Sequence, residues 1–235
     1  MTLAGLSGMV LAGKGLPPPG LGFLCLACIL GAAAGSAVVN GLLDSEIDLR
    51  MGRTSARREA LGTVGQRGAI LLSLLLVSAS LSASALFLSV TATLLLACAV
   101  AGYTVLYTVI LKRRSPYGTV PGGIPGALPV LIGYAAVEPR IGADGFLLFL
   151  VMLMWQPPHF WALALKCRDE YRAAGIPVLP VALGEPYTKI MIFLYAAALL
   201  PLSLGLWWLG YCSRYFAAAA LALGAGFLAS CYLNI

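Results

Sequence analysis

Long apolar runs recur along this chain, and they constrain its fold more than any other feature. Residues 71–77 and 94–100, for example, are nearly unbroken apolar stretches. Of the 235 residues, 60% are hydrophobic and only 10% are charged, which is too little polar surface to cover a soluble globule. Transmembrane β-barrels alternate apolar and polar residues, so unbroken runs indicate helices instead. We therefore expect an all-α, polytopic bundle of transmembrane helices, which excludes soluble enzymes and nucleic-acid-binding modules.

The apolar runs divide the chain into about eight candidate membrane spans. A helix needs about 20 residues to cross a hydrocarbon core of about 30 Å. The candidate segments are 2–13, 20–43, 68–88, 90–111, 119–137, 143–165, 188–210 and 214–233. The first is too short to span, because a dozen helical residues rise only about 18 Å. We expect it to be the remainder of a longer helix within one integral-membrane domain that covers residues 1–235.

Basic residues predict how these spans are oriented. Most of the 15 Lys and Arg residues lie in three alternate loops, around residues 44–67, 112–114 and 166–189. Loops rich in Lys and Arg stay in the cytoplasm. The net charge of +6 is therefore a property of cytoplasmic loops and not the footprint of a nucleic acid. Most of the nine acidic residues share these loops, and their spacing is informative.

Polar residues at helical spacing close the second span. Asn40, Asp44 and Asp48 lie four residues apart, so in a helix they share one face. Two neighbouring carboxylates repel each other unless a cation lies between them. Oxygen ligands that leave coordination positions open suit Mg²⁺ bound to substrate phosphates. The pattern predicts a metal-dependent phosphate site; the alternative is an N-terminal cap for a loop helix together with surface pairing to Arg50 and Arg53.

A second charged cluster follows the sixth span. It comprises Lys166, Arg168, Asp169, Glu170 and Arg172. If the two clusters face each other, their carboxylates can hold Mg²⁺ while the cations contact phosphate oxygens. The apolar bundle above such a site would suit a hydrocarbon tail and keep water from a carbocation. Transfer of a prenyl group from its diphosphate fits this arrangement.

The sixth span also contains the only histidine and a proline pair. We expect Pro157 and Pro158 to interrupt the helix and free backbone groups toward a cavity. His159 could then bind a planar substrate, ligate a haem iron or satisfy a neighbouring carbonyl group, and Gln156 shares this ambiguity. The Gly- and Pro-rich segment 121–129 of the fifth span suits either a cavity wall or close helix packing.

Taken together, these motifs resemble those of the UbiA-type intramembrane prenyltransferases. The matching stretches are NGLLDSEIDLRMGRT at 40–54, YTVILKRRSP at 107–116, GGIPGALPVLIGYAA at 122–136 and WQPPHFWALALKCRDEYRAAGIPVLP at 155–180. The first stretch alone indicates only the superfamily. The PPHFWALAL and DEYRAAGIPVLP stretches are more specific, and they are similar to the branch of the family that farnesylates haem.

The resemblance implies a reaction and a set of site residues. Farnesyl diphosphate and protohaem IX would be the substrates, Mg²⁺ the cofactor and haem O the product, with haem a substrate and not a prosthetic group. Asn40, Asp44, Asp48 and Asp169 would hold the metal, and the three aspartates would be the catalytic residues. The residues implied to bind substrate are Asn40, Arg53, Arg57, Lys112, Arg113, His159, Arg168 and Glu170, with His159 on the haem side. A bacterial inner membrane is also implied, with haem A synthase or a terminal oxidase as a partner.

Two other functional classes remain open at this point. Intramembrane acids and Gly/Pro-broken spans also occur in transporters, although carrier sites lie near the midplane of the bilayer. An inactive, haem-binding assembly factor for an oxidase is the other alternative. Members of the family generally have nine spans, so we expect this chain to be a shortened form or incomplete at its ends. Tyr103 and Tyr107 are interpreted as core or interfacial aromatics without chemistry.

Overall fold

A computed structural model describes residues 2–48 and 51–233 of the chain, without the side chains of Arg53, Ser55 and Arg58. Every regular element in these residues is helical. The helices are α1 (Thr2–Gly13), α2 (Pro19–Leu43), α3 (Ser45–Asp48), α4 (Ser55–Phe87), α5 (Val90–Ala101), α6 (Thr119–Val137), α7 (Ala143–Lys166), α8 (Arg168–Ala173), α9 (Leu179–Ala182), α10 (Glu185–Trp208) and α11 (Arg214–Leu233). A 3₁₀ turn covers Gly52–Thr54, and a π-helix, Gly102–Leu111, continues α5.

Within the described residues, seven helical segments are long and apolar enough to cross a bilayer. They are Pro19–Leu43, Glu59–Phe87, Val90–Leu111, Thr119–Val137, Ala143–Lys166, Glu185–Trp208 and Arg214–Leu233. Helix α1 is apolar but has only 12 residues. In hydrocarbon every backbone polar group needs a partner within the protein, and a helix provides these partners along its own length. The predicted all-α, polytopic fold is confirmed, and the chain is a multi-pass membrane protein.

Helix α6 forms the centre of the bundle. It is the most buried of these spans, and it contacts α1, α2, α5, α7 and the π-helix. Small residues allow α1 to approach it closely. A Cβ atom at Gly8 would lie 2.9 Å from the backbone nitrogen of Tyr134, and a Cβ atom at Gly133 would meet the carbonyl oxygen of Gly5. Close backbone packing of this kind drives helix association in membranes.

The prolines of α6 and α7 do not interrupt these helices. Helix α6 continues through Pro125 and Pro129, and α7 continues through Pro157 and Pro158. The predicted break at the proline pair is therefore wrong. Each proline removes one backbone N–H group from the helix. Both rings of the pair are fully buried, so packing against neighbouring helices stabilises the continuous form.

Candidate active site

A polar cavity of about 180 Å³ lies at one end of the bundle, where several segments meet. Its wall is formed by the end of α2, the start of α4, the π-helix, the loop after the π-helix, α7 and α8. The charged, amide and aromatic residues that line it include Asn40, Asp48, Arg57, Tyr103, Lys112 and Tyr171. This is the end of the bundle that carries the basic loops.

Asp44 is the most enclosed acid at this end, with no exposed surface. Its Oδ2 atom accepts hydrogen bonds from the ammonium group of Lys112 and, at 2.8 Å, from the amide nitrogen of Asn40. Its Oδ1 atom lies 3.4 Å from the guanidinium group of Arg113, which also donates to the carbonyl oxygen of Leu43 at 2.7 Å. A buried carboxylate without such partners would be strongly destabilised. These ion pairs therefore hold the end of α2 against the loop that follows the π-helix.

Asp48, one helical turn beyond Asp44, is bound by a different cation. The NH1 atom of Arg57 lies 3.3 Å from Asp48 Oδ2 and 3.3 Å from Asn40 Oδ1. The helical hydrogen-bond pattern continues from α2 into α3, because Asp44 N donates to Asn40 O at 2.9 Å and Asp48 N donates to Asp44 O at 2.8 Å. The structure thus brings together the three residues whose spacing predicts a shared face. It adds Arg57, Lys112 and Arg113 around them.

The π-helix contributes residues to the cavity that sequence reasoning missed. Its wider turns have i→i−5 hydrogen bonds, such as the one from Lys112 N to Tyr107 O at 2.9 Å. The nine positions from Tyr103 to Lys112 make about two and a half turns of an α-helix but about two turns of a π-helix. Because of the wider π winding, Tyr103 and Lys112 both line the polar cavity, and Tyr107 lines it as well. The available signal is the pair of tyrosines four residues apart before a lysine, but an α-helical period would place that lysine on the opposite side from Tyr103.

An apolar cavity of about 300 Å³ adjoins the polar one. It is lined by residues of α2, α5, α6 and the π-helix. Tyr103 lines both cavities, so the two meet at its side chain. Pro125 and Pro129 form part of the apolar wall, whereas Gly126 on another face of α6 packs against α7. Both alternatives for the Gly- and Pro-rich segment are therefore realised, on different faces of one helix.

Gln156, whose role the sequence leaves open, joins α7 to α6. Its Nε2 atom donates to the carbonyl oxygen of Gly123 at 2.8 Å. Its amide group also fills the space beside Gly126, where an added Cβ atom would lie 3.0 Å from the amide carbon. These contacts are structural, and Gln156 does not line either of the two adjoining cavities.

The second acidic cluster does not line the polar cavity. Helix α8 turns Tyr171 toward the cavity, whereas Asp169, two residues earlier, lies on the opposite face with 87% of its side chain exposed. Asp169 pairs with Arg172 at 3.0 Å and approaches Arg168 at 3.9 Å. The structure therefore does not bring Asp169 into one hollow with Asp44. The physical reason is the burial of Tyr171, which determines which face of α8 points inward.

The structure assigns no place in the polar cavity to Glu170, and the side chain of Arg53 is not described. The Oε2 atom of Glu170 is buried, and it has no hydrogen-bond partner among the described residues. Glu170 is not among the residues that line the polar cavity. The side chain of Arg53 lies outside the described residues. The predicted roles of these residues therefore stay predictions.

His159 lies in a separate groove of about 470 Å³, lined by residues of α7, α10 and α11. Its imidazole ring stacks on Trp155, with ring centroids 4.5 Å apart and an interplanar angle of 15°. The side chain of His159 is exposed in this groove. Lys189 and Glu185, 3.1 Å apart, lie in the same groove. The next residue, Phe160, lines the polar cavity, so α7 separates the groove from that cavity.

The donor atoms at the polar cavity fit a hard divalent cation. Asp48 and Asn40 line the cavity and supply a carboxylate and an amide oxygen, and the fully buried Asp44 adds a carboxylate beside Asn40; these are ligand types that Mg²⁺ prefers. Over residues 2–48 and 51–233, no group of three or more His, Cys, Asp or Glu side chains could enclose a metal by itself. A cation here would therefore complete its coordination with water or with phosphate oxygens of a ligand. The neighbouring cations suit the same phosphate group.

This fold and site define the class of intramembrane prenyltransferases. The chain belongs to the UbiA prenyltransferase family, whose model matches residues 1–235. It is similar to the protoheme IX farnesyltransferase of Geotalea uraniireducens, with 52% identity over 227 residues that cover 97% of this chain and 88% of the relative. The protoheme IX farnesyltransferase of Aquifex aeolicus is 47% identical over 199 residues, which cover 85% of this chain and 68% of that protein.

Solved structures of the family have the same fold. A UbiA homologue from Aeropyrum pernix K1 gives a TM-score of 0.82 at 18% identity and covers 99% of this chain and 88% of its own. A UbiA homologue from Archaeoglobus fulgidus bound to GPP and Mg²⁺ gives a TM-score of 0.78 at 17% identity, with 99% and 82% covered. At these identities the likeness concerns the fold. The resemblance that the motifs indicate is confirmed by the family match, which favours an enzyme over a transporter.

Proposed function

We propose that this protein transfers the farnesyl group of farnesyl diphosphate to a vinyl group of protohaem IX and so makes haem O. The observation that carries the proposal is the meeting of two cavities at Tyr103, one polar and charged and the other apolar. A prenyl diphosphate has the same division into a charged head and a hydrocarbon tail. Relatives up to 52% identical over most of the chain are protoheme IX farnesyltransferases, which supports a farnesyl group as the donor and protohaem as the acceptor.

The diphosphate binds in the polar cavity in this proposal. Lys112 and Arg57 line the cavity, and their ammonium and guanidinium groups suit phosphate oxygens. Asn40, Asp44 and Asp48 hold Mg²⁺, which when bound neutralises charge on the departing diphosphate. Supporting this assignment, Asp44 pairs with Lys112 and Arg113 and Asp48 pairs with Arg57, so the site balances charge in a buried place.

The farnesyl chain lies in the apolar cavity. Cleavage of the bond between C1 and the diphosphate oxygen releases diphosphate and leaves an allylic cation, which the surrounding apolar wall keeps from water. Tyr103 at the junction and Tyr107 beside it have ring centroids 5.9 Å apart, and aromatic faces stabilise positive charge. The vinyl group supplies the electron pair of the new carbon–carbon bond. Water then adds to the resulting cation, and one proton is lost.

The groove around His159 is the proposed haem side of the enzyme. Imidazole is an axial ligand of haem iron, and Trp155 offers a flat ring beside it. Lys189, in the same groove, is a cation suited to a propionate group. An ionisable side chain within a membrane span is a functional hypothesis by default, and this supports a ligand at His159.

The remaining assignments are proposals that follow from the family. Arg53, Arg168, Asp169 and Glu170 form the second half of the diphosphate site in this proposal, and Asp169 would need α8 to rotate before it faced the polar cavity. The distribution of basic loops supports a cytoplasmic active site in a bacterial inner membrane. Haem A synthase or a terminal oxidase would consume the product. The whole chain, residues 1–235, acts as one domain.

The proposal is tested with purified protein in lipid nanodiscs. Incubation with Mg²⁺, farnesyl diphosphate and haem should yield a more hydrophobic haem and one inorganic diphosphate for each haem modified. Asp44→Asn should abolish both products, because a buried carboxylate charge is lost. Asp144→Asn is the matched control, since Asp144 accepts a hydrogen bond from Tyr134 at 3.0 Å in the first turn of α7, at the opposite end of the bundle.

Each alternative gives a different result in this assay. Diphosphate release without a modified haem would show that the acceptor is another molecule. Haem binding without either product would favour an inactive assembly factor. Equal losses in the two aspartate variants would remove the reason to place the chemistry at the polar cavity.

A further inference from the structure

Thr108 is a buried residue of the π-helix that contacts Asn40, with 1% of its surface exposed. Its hydroxyl group donates to the carbonyl oxygen of Tyr103 at 2.8 Å. The same hydroxyl oxygen lies 3.1 Å from the amide nitrogen of Asn40. A hydroxyl group has one proton, and that proton is already engaged, so Thr108 accepts a hydrogen bond from Asn40. The hydroxyl oxygen therefore faces the nitrogen side of this amide.

Both N–H groups of Asn40 are thereby used. One donates to Thr108, and the other donates to Asp44 Oδ2 at 2.8 Å. An amide group has its two donors on nitrogen and its acceptor on the carbonyl oxygen, so Oδ1 must face away from both partners. There it lies 3.3 Å from NH1 of Arg57, and both residues line the polar cavity. Oxygen, and not nitrogen, is the amide atom that a divalent cation coordinates.

We propose that Thr108 is a positioning residue that keeps the amide oxygen of Asn40 turned toward the metal and diphosphate, an inference that rests on the proposed function. The hydrogen bond from Asn40 to Asp44 cannot hold the amide in this orientation once the metal binds, because the oxygens of Asp44 are then proposed to coordinate the metal. The bond from Asn40 to Thr108 does not depend on the metal, since the hydroxyl is anchored on the backbone of the π-helix. The carbonyl group that anchors it lies five residues earlier, which is the separation that π winding favours.

Two variants separate the hydroxyl group from the shape of the side chain. Thr108→Val removes the hydroxyl at nearly constant size, and Thr108→Ser retains it. Thr188→Val is the matched control, because Thr188 is fully buried and donates to the carbonyl oxygen of Gly184 at 2.7 Å but lies on α10, outside the polar cavity. A general loss of buried hydroxyl bonding would affect Thr108→Val and Thr188→Val alike.

Metal binding is measured without turnover, using Mn²⁺ in place of Mg²⁺ and inorganic diphosphate as the anion. The electron paramagnetic resonance signal of free Mn²⁺ falls as the ion binds, which yields its affinity for the purified protein. Thr108→Val should weaken this affinity by about tenfold or more, as is typical when the partner behind a metal ligand is lost. Thr108→Ser and Thr188→Val should bind Mn²⁺ like the wild type. In turnover, Thr108→Val should raise the apparent KM for Mg²⁺ more than it lowers kcat.

Three results would overturn the inference. Thr108→Val could bind Mn²⁺ as tightly as the wild type, Thr108→Ser could fail as badly as Thr108→Val, or the wild type could fail to bind Mn²⁺ with diphosphate. Failure of the proposed function has a different outcome. A wild type that binds Mn²⁺ with diphosphate in a Thr108-dependent way, but leaves haem unmodified, would support the positioning role and refute the proposed acceptor.

Discussion

Replacing Lys112 with methionine should destabilise the metal-free protein through Asp44. The ammonium group of Lys112 contacts Asp44 Oδ2, and only 17% and 0% of the two side-chain surfaces are exposed. Removing one partner of a buried ion pair costs about 3–5 kcal/mol when the other charge is left uncompensated. Here Asp44 keeps its hydrogen bond from Asn40 and the half-exposed Arg113 at 3.4 Å. We therefore expect a smaller loss, about 2 kcal/mol in the free energy of unfolding.

Equilibrium unfolding of the purified protein in mixed micelles measures this loss. Lys189→Met is the matched control, because the Lys189–Glu185 pair is more exposed, at 27% and 49%, and has i,i+4 spacing. Pairs of this kind contribute about 0.3–0.5 kcal/mol. Mg²⁺ alone should stabilise Lys112→Met more than it stabilises the wild type, because the metal replaces the missing charge beside Asp44. Equal losses in the two lysine variants, or an equal response to Mg²⁺, would refute the reasoning.

Three further changes test other parts of the structure. Ala32→Leu in the wall of the apolar cavity should raise the KM for farnesyl diphosphate more than that for the shorter geranyl diphosphate, measured by diphosphate release. His159→Ala should weaken haem binding, followed by Soret absorption, more than binding of farnesyl diphosphate, and equal losses would indicate a folding role. Gly126→Ala should destabilise the bundle by about 1–3 kcal/mol in the unfolding assay, because the added carbon meets Gln156. Gly226→Ala, with no atom within 4 Å of the added carbon, should be near neutral.

The helices are predictable because a bilayer leaves the backbone few alternatives. The predicted segment 119–137 coincides with α6, and the segment 143–165 differs from α7 by one residue. An apolar run of spanning length must satisfy its own backbone groups, and only a helix does so locally. The prediction is less accurate where the helix is polar. Helix α4 begins at Ser55, well before the predicted 68, and Gly65, with φ 72°, interrupts its regular winding between the two parts.

The candidate site is predictable only in part. Asn40, Asp44 and Asp48 lie within nine positions of one another, so helical spacing alone indicates that they share a face. The part played by Tyr103 requires the π-helix, which an α-helical period does not predict. The outward position of Asp169 depends on the rotation of α8, which the packing of a neighbouring aromatic side chain determines. Residue types alone do not encode that rotation.

The amino-acid sequence by itself determines that this chain is a helical membrane protein, where its spans lie and which acids share the end of the second span. These are local properties, set by the thickness of a bilayer and by the period of a helix. Only the tertiary structure decides that Asp44 pairs with Lys112, 68 positions away, that two cavities meet at Tyr103, and that His159 faces a different groove. Each of these depends on how a helix is rotated about its own axis. That rotation is determined by close contacts between helices, such as those of Gly8 with α6 and of Gly126 with α7.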